Sequence, residues 1–189
     1  MPEKYAPEIS QNDIFSFLET RRGKLDAVCV TGGEPTQHAD LPEFLQKIKK
    51  MGFLVKLDSN GTRPEVLEKI IEKKLVDYVA MDIKAPFEKY QDITRVAAAP
   101  EKLKKSVQII LDSGVPHEFR TTIVKSLTSF DDLRKIAQSI KGAQNYFLQR
   151  FVATKLNDET LMNATSYSEG DLNELASELQ TFVKHCGVR

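Results

Sequence analysis

Hydrophobic and polar positions along the chain switch between two periods, which predicts alternating helices and strands. Residues 10–22 carry apolar side chains at helical spacing, whereas residues 25–30, LDAVCV, form a short apolar run typical of a buried strand. The same switch recurs to the C-terminus. It predicts helices at residues 10–22, 41–51, 64–74, 100–113, 130–141 and 168 to about 185, and strands at residues 25–30, 53–58, 76–83, 117–124 and 145–152.

Residues that favour helix N-termini precede most of the predicted helices. Serine, threonine and aspartate side chains can accept a hydrogen bond from a free backbone N–H group in the first turn. Several of these candidates also have a proline or an acidic residue in the turn that follows, as helix starts commonly do. The candidate caps are Ser10, Asp40, Thr62, Ser129 and Ser168.

Five predicted strands are each separated from the next by a helix, which indicates an α/β fold with a parallel sheet. Such alternation is built from right-handed βαβ units. The length of 189 residues and the lack of a linker-like segment predict a single domain over residues 1–189. The longest loops, residues 85–99 and 153–167, are expected to cover a site.

Charge and composition exclude several classes of protein. The chain has 27 basic and 27 acidic residues, so it lacks the basic excess that nonspecific nucleic-acid or membrane-surface binding needs. No apolar run approaches the ~20 residues of a membrane-spanning helix, and the N-terminus, MPEKYAPEIS, is unlike a signal peptide. Two cysteines do not make a disulfide framework. A cytoplasmic protein is expected.

Polar residues follow the predicted strands at the positions where parallel α/β folds bind ligands, beyond the carboxyl ends of the strands. Two aspartates, a lysine and two arginines would lie near one rim, and buried charges need partners. We therefore expect a polar small-molecule site. The segments are Thr31-Gly32-Gly33-Glu34-Pro35, Asp58-Ser59-Asn60-Gly61, Asp82-Ile83-Lys84, Arg120 with two threonines, and Gln149-Arg150.

Each of these segments also has an ordinary structural interpretation. Gly32-Gly33 can be a tight turn, and Asp58-Ser59-Asn60-Gly61 has the composition of a turn. Asp82 and Lys84 are two residues apart on one face of a strand and can form a structural ion pair. The spacing of these residues does not name a ligand.

Three motifs in order, VTGGEPTQ, VKLDSNG and VAMDIKA, resemble the radical S-adenosylmethionine (radical SAM) superfamily. The resemblance covers nearly the whole chain. It is strongest to the activases of glycyl radical enzymes, such as the activating protein of anaerobic ribonucleoside-triphosphate reductase. It implies a partial (βα) TIM-like barrel and two cofactors, S-adenosylmethionine and a [4Fe-4S] cluster.

The resemblance also implies roles for individual residues. Backbone atoms of Gly32, Gly33 and Glu34 would bind the methionyl amine, where glycine lets a ligand approach closely. Lys84 would bind the methionyl carboxylate. The remaining implied contacts to the cofactor are Asp58, Ser59, Asn60 and Arg120, and a monovalent cation would be held by Asp58, Ser59 and Asp82, since hard cations prefer oxygen ligands.

The partners implied are a glycyl radical enzyme, such as anaerobic ribonucleotide reductase, and an electron donor, such as flavodoxin or ferredoxin. One departure from the family stands out. The family holds its cluster with a C-x3-C-x2-C loop, which is absent here. The chain therefore resembles a member without its first strand and cluster loop, and it is expected to be inactive by itself. Cys29 is predicted to be a small core residue, and Cys186 to end the last helix.

Two other functions remain open from the residues. A cluster-free module would bind S-adenosylmethionine or a partner protein without reducing the cofactor. A Schiff-base aldolase would instead use the amine of Lys84 at the end of its strand, beside Asp82. The ordered glycine-rich motifs have no explanation in the aldolase hypothesis.

Overall fold

The computed structural model describes residues 8–91, 100–153 and 161–189, so residues 92–99 and 154–160 of the two long loops lie outside the described residues. Helices and strands alternate through the described parts, as the two periods predict. The helices are α1 (Gln11–Glu19), α2 (Leu41–Lys50), α3 (Pro64–Glu72), α4 (Pro100–Asp112), α5 (Phe130–Ser139) and α6 (Glu169–Leu179), and the strands are β1 (Ala27–Val30), β2 (Leu54–Ser59), β3 (Tyr78–Asp82), β4 (His117–Ile123), β5 (Asn145–Arg150) and β6 (His185–Val188).

The strands form one six-stranded sheet in the order β1-β2-β3-β4-β5-β6, and every neighbouring pair is parallel. Sequential order with helical crossovers places the helices on one face, because such crossovers share one hand. The predicted parallel α/β fold, with the architecture of a partial TIM-like barrel, is confirmed. The register sets Asp58 beside Ala80 and Asp82 beside Arg120, so polar residues of neighbouring strands lie side by side.

The hydrophobic core lies between the sheet and its helices. Strand residues on the helix-facing side, such as Leu57 and Phe119, are fully buried, and they meet helix residues such as Leu45, Ile70 and Ile136. The opposite face of the sheet is polar. The charged and other polar residues on that face of the central strands include Lys56, Asp58, Asp82, Glu118, Arg120, Thr122 and Gln149. The face without helices therefore carries the candidate chemistry.

The prediction that the last helix reaches residue 185 is wrong. Helix α6 ends at Leu179, and residues 185–188 form a sixth strand beside β5. Tertiary hydrogen bonds cause the change, since Phe182 accepts from the Gly142 amide and Lys184 donates to Ala143. These bonds align the segment with the edge of the sheet. Periodicity within a single segment cannot show them.

Three predicted caps are confirmed, since Ser10, Ser129 and Ser168 each accept a hydrogen bond from the backbone N–H three residues later. The other two make no cap bond. Asp40 holds the position before α2, but its carboxylate accepts from the Gln11 side chain at 2.7 Å. Thr62 donates to Asn60 at 2.7 Å, and Arg63 stands before α3. Both side chains therefore make hydrogen bonds near the carboxyl edge of the sheet instead of capping a helix.

Asp132 provides a test of how α5 is anchored. Its buried carboxylate accepts hydrogen bonds from the Lys89 ammonium at 2.8 Å and from the Ser129 amide at 3.1 Å. Burial alone would raise the pKa of Asp132, but these hydrogen bonds outweigh it and lower the pKa below its usual value. The ionised form therefore stabilises the fold.

We expect Asp132→Asn to lower the free energy of unfolding by about 1–2 kcal/mol at pH 7. Because the folded pKa is lowered, this stabilisation is present above the unfolded pKa of about 3.9 and is lost as pH falls through the folded value. Urea unfolding between pH 7 and pH 2 measures it. Asp131→Asn, at an exposed neighbour paired with Arg134, is the control and should change little. A wild-type advantage independent of pH would contradict the assignment.

Candidate functional site

Gly32 and Gly33 present their backbone to a cleft at the end of β1. The cleft has a volume of about 320 Å³ and lies between this loop, α1 and α2; we call it the β1 cleft. Gly32 has a φ of 141°, a conformation that favours glycine. No described residue donates a hydrogen bond to the carbonyl of Gly32 or Gly33. A Cβ at either position would meet nothing within 4 Å, so the space beside them is open.

Glu34 faces inward rather than into the β1 cleft. Its side chain is buried and accepts hydrogen bonds from the Thr36 amide at 3.1 Å, the Thr36 hydroxyl, the Ser59 hydroxyl at 2.9 Å and the Asn60 amide at 2.6 Å. These bonds join the loop after β1 to the end of β2. We call this group, Glu34, Thr36, Ser59 and Asn60, the Glu34 clamp. Oε1 accepts three of these hydrogen bonds and Oε2 accepts one, so the protein uses most of the accepting capacity of this carboxylate.

The side chains of Ser59 and Asn60 also make hydrogen bonds within their own loop. Ser59 is buried on the helix side, where its hydroxyl additionally accepts from the Gly61 amide at 3.1 Å. The Asn60 side chain accepts from the Thr62 amide at 3.0 Å, which is the hydrogen bond of an Asx turn. The turn interpretation of residues 58–61 therefore holds for these two side chains.

Gly61 fixes the shape of this turn. Its φ is 74°, and a Cβ there would overlap the side chain of Met81 in β3. The carbonyl of Gly61 accepts from the buried Ser106 hydroxyl of α4 at 2.7 Å. A side chain at this position would therefore meet both backbone strain and steric overlap. The loop after β2 is therefore contacted by three parts of the structure: Glu34 after β1, Met81 in β3 and Ser106 in α4.

Arg120 joins two predicted site carboxylates on the open face. Its Nε donates to Asp82 at 2.8 Å and its Nη1 donates to Asp58 at 2.9 Å. Burial opposes the charge of the guanidinium, but Asp82 and Asp58 raise the pKa of Arg120 above its ordinary value. Because the strand alternates, Ser59 lies on the other face. The structure thus brings Asp58 and Asp82 around a guanidinium, but it does not place Ser59 with them.

Glu118 is a central acidic residue that the sequence reasoning missed. It is 2% exposed and lies 3.3 Å from Lys56 and 3.2 Å from Arg189. The Tyr78 hydroxyl donates to it at 3.2 Å; burial, and next the charge of Glu118, raises the pKa of Tyr78 to about 12. The alternation Glu118-x-Arg120 within a predicted strand was the available signal, since it puts both charges on one face.

Lys84 borders a second cleft, of about 330 Å³, at the ends of β3, β4 and β5. We call it the β4 cleft; it is also lined by Asp82, Arg120, Leu127 and Phe151. The ion pair considered between Asp82 and Lys84 is not formed, because Arg120 takes Asp82. Within the described part of the chain, no side chain pairs with the Lys84 ammonium. The predicted site residues thus divide between two clefts on either side of Asp58.

Both predictions for the cysteines are wrong. Cys29 is exposed rather than a core residue, because β1 is an edge strand and position 29 lies on the open face. Its thiol donates to Asp58 at 3.8 Å. Cys186 lies in β6 rather than at a helix end and is buried in the core, which raises the pKa of its thiol to about 12.

Comparison with known proteins identifies the family of the chain. Residues 2–140 match the radical SAM superfamily. The chain belongs to this superfamily. It is 34% identical over 169 residues to a protein of Methanocaldococcus jannaschii named a glycyl-radical enzyme activating enzyme; the match covers 87% of this chain and 70% of that protein. The name of this relative agrees with the resemblance of the three motifs to activases of glycyl radical enzymes.

Solved radical SAM structures share the fold. SuiB of Streptococcus suis bound to S-adenosylmethionine superimposes with a TM-score of 0.75 at 11% identity, over all of this chain and 45% of SuiB. A TYW1 structure with a lysine-pyruvate adduct bound superimposes with a TM-score of 0.63 at 16% identity, over 95% of this chain and 65% of TYW1. The chain thus spans less than two thirds of either solved protein.

The two cofactors of the radical SAM superfamily fit this chain differently. S-adenosylmethionine carries an ammonium group, and Gly32 and Gly33 suit one, because the space beside them is open and their carbonyls have no donor among the described residues. A [4Fe-4S] cluster needs cysteine thiolates. The chain has two cysteines, on opposite edge strands and opposite faces of the sheet. Across the described ranges, no group of three or more His, Cys, Asp or Glu side chains could hold a metal ion. The residues of this chain do not fit the cluster.

We expect Cys29 to react slowly for an exposed thiol. Partial desolvation, and next the charge of Asp58, raise the pKa of Cys29, so little thiolate is present at pH 8. Asp58→Asn should therefore speed alkylation of Cys29 severalfold, measured by mass spectrometry with iodoacetamide. Asp82→Asn is the matched control and should leave the rate near that of wild type. Cys186 reports on unfolding, since it reacts only when the core opens. Equal Cys29 rates in wild type and Asp58→Asn would refute the coupling.

Proposed function

We propose that this chain binds S-adenosylmethionine at the open carboxyl edge of the sheet, as the cofactor-binding part of an activase for a glycyl radical enzyme. The observation that carries the proposal is the Gly32-Gly33 backbone, which lines the β1 cleft and whose carbonyls have no donor among the described residues. Backbone carbonyls are good partners for an ammonium group. Glycine keeps their approach free of a Cβ.

Other predicted residues would contact the rest of the cofactor. The ammonium of Lys84 is free to pair with the methionyl carboxylate. Asp58 lies on β2 and Asn60 directly follows that strand, between the two clefts, where a ligand extended from one to the other would pass. Arg120 would act by orienting Asp58 and Asp82, since both carboxylates are bonded to it. We assign no separate cation site, because the guanidinium already supplies the positive charge.

The activase assignment draws on the 34% identity to the M. jannaschii protein named for that activity. An activase of this kind would act on a glycyl radical enzyme, of the anaerobic ribonucleotide reductase type by its motifs, with an electron donor such as flavodoxin or ferredoxin, in the cytoplasm. Reductive chemistry of S-adenosylmethionine is supplied by a bound iron–sulfur cluster. We derive no cleavage step for this chain, since its own thiols do not fit the cluster.

Calorimetric titration of the purified chain with S-adenosylmethionine tests the proposal. We expect binding by wild type and about tenfold or greater loss of affinity in Gly33→Ala, because the added Cβ would occupy the open space of the cleft. The stability of Gly33→Ala should stay within about 0.5 kcal/mol of wild type. Gly170→Ala, in α6 with ordinary contacts, is the control and should bind normally. Undetectable binding by wild type, or full affinity in Gly33→Ala, would reject the proposal.

A Schiff base at Lys84 is the second candidate function. It is favoured by the Lys84 ammonium at the β4 cleft, beside Asp82 and Arg120, because no side chain in the described ranges pairs with it. A TYW1 structure that shares the fold has a lysine-pyruvate adduct bound. In its neutral form the amine would add to the carbonyl carbon of a 2-oxo acid, and water would leave as the imine forms.

Pyruvate with borohydride should then attach a reduced, stable adduct to Lys84, mapped by peptide mass spectrometry. Lys84→Arg keeps the charge but cannot form the imine, so it should lose the adduct. The exposed Lys102 is the internal reference for nonspecific labelling. Labelling of Lys84 no greater than that of Lys102 would exclude this function.

A further inference from the structure

A third cleft lies at the amino edge of the sheet, at the opposite end of the strands from the β1 cleft and the β4 cleft. It has a volume of about 690 Å³, and we call it the amino-edge cleft. It is lined by the ends of α2 and α3, by the residues before β3 and by the turn between α4 and β4. The volume exceeds those of the other two clefts and is typical of small-molecule sites.

Lys74, which lines this cleft, has a backbone conformation that is costly for a residue with a side chain. Its φ is 54°, and among the described residues it is the one non-glycine residue with a positive φ. It ends α3 in a Schellman motif, in which the Lys74 amide donates to Ile71 at 2.8 Å and the Leu75 amide donates to Ile70 at 3.0 Å. The motif needs a left-handed residue at position 74, where glycine is the usual choice.

Glycine does hold the equivalent position after the two neighbouring helices. Gly52 follows the end of α2 with a φ of 92°, and Gly114 follows the end of α4 with a φ of 70°. The turn after α3 would be less strained if residue 74 were also glycine. Strained residues are concentrated at ligand sites, so the side chain of Lys74 is a candidate for binding.

The charge that remains available in the amino-edge cleft is positive. Asp77, the one acidic residue that lines it, is paired with Lys49, whose ammonium lies 2.6 Å and 2.7 Å from the two carboxylate oxygens. Asp77 also accepts a hydrogen bond from the Val55 amide at 2.7 Å, which orients its carboxylate. Within the described ranges, no side chain pairs with the Lys74 ammonium. The cleft therefore offers an uncompensated cation.

Apolar side chains supply much of the remaining wall. Val76 is buried, Ile71 and Val115 are half-buried, and Pro116 is exposed. An inorganic anion would leave this apolar surface in contact with water, and an uncharged apolar molecule would leave the Lys74 ammonium without a partner. The combination suits an anion with an aliphatic body.

We propose that the amino-edge cleft is a second binding site, which takes a small aliphatic carboxylate. The carboxylate would accept hydrogen bonds from the Lys74 ammonium and from the third donor of Lys49, since Asp77 uses two. The aliphatic chain would lie against Val76 and Val115. The inference does not rest on the proposed binding of S-adenosylmethionine, because none of these residues lines the β1 cleft or the β4 cleft.

Titration of the purified, isotope-labelled chain with hexanoate, followed by NMR of the backbone amides, tests the proposal. We expect saturable shifts at residues 71–77 and 113–115. Acetate has the charge without the chain, and hexanol has the chain without the charge, so each should bind about tenfold or more weakly than hexanoate. Shifts that do not saturate, shifts centred on the β1 cleft, or equal affinity for acetate or hexanol would overturn the proposal.

Lys74→Gly tests the part played by the side chain, because it removes the ammonium and also relieves the backbone strain. We expect hexanoate to bind about tenfold or more weakly, while the midpoint of thermal unfolding is no lower than that of wild type. Lys73→Gln is the matched control, since Lys73 is an exposed neighbour that does not line the cleft, and it should bind normally. Full affinity in Lys74→Gly, or an equal loss in Lys73→Gln, would reject the role of Lys74.

Discussion

Within the described ranges, the helices cover one face of the sheet and leave the other without helices, and this constraint shapes the rest of the structure. Each central strand must place apolar residues toward the helices and can place charged residues toward the open face. Strand β4 shows the result, with Phe119 in the core and Arg120 on the opposite face. A parallel sheet buried on both faces would have continuous apolar strands instead. The one-sided packing thus gives the molecule a polar surface that lies on rigid backbone.

Charges on that surface are arranged as a connected row rather than as separate pairs. Arg120 bridges Asp58 and Asp82, while Lys56 links Asp58 to Glu118. Such bridging reduces the cost of partly buried charges and restricts their rotamers. The row therefore presents a preorganised surface between the β1 cleft and the β4 cleft. Residues at its ends, the Gly32-Gly33 backbone and Lys84, keep unused hydrogen-bonding capacity among the described residues.

In the glycine-rich motif, the two glycines expose their backbone, whereas the glutamate acts through its side chain. Gly32 and Gly33 leave carbonyls and open space toward a ligand, whereas Glu34 turns its carboxylate inward to tie two loops together. An acidic residue in a binding motif is easily taken for a ligand contact. Here the carboxylate makes four hydrogen bonds within the protein, so the side chain joins the loop after β1 to the end of β2.

The sequence by itself determined the order of helices and strands, the parallel α/β class and the strand ends at which polar residues gather. These follow from local periodicity and from the general geometry of βαβ units. Only the tertiary structure decided that residues 185–188 form a strand, that Cys29 is exposed and that Arg120, rather than Lys84, pairs with Asp82. Each of these depends on a neighbouring strand: β5 aligns β6, the missing neighbour of β1 exposes Cys29 within the described sheet, and β4 brings Arg120 beside β3. A local pattern contains no information about such neighbours, because pairing and side-chain competition are set by residues distant along the chain.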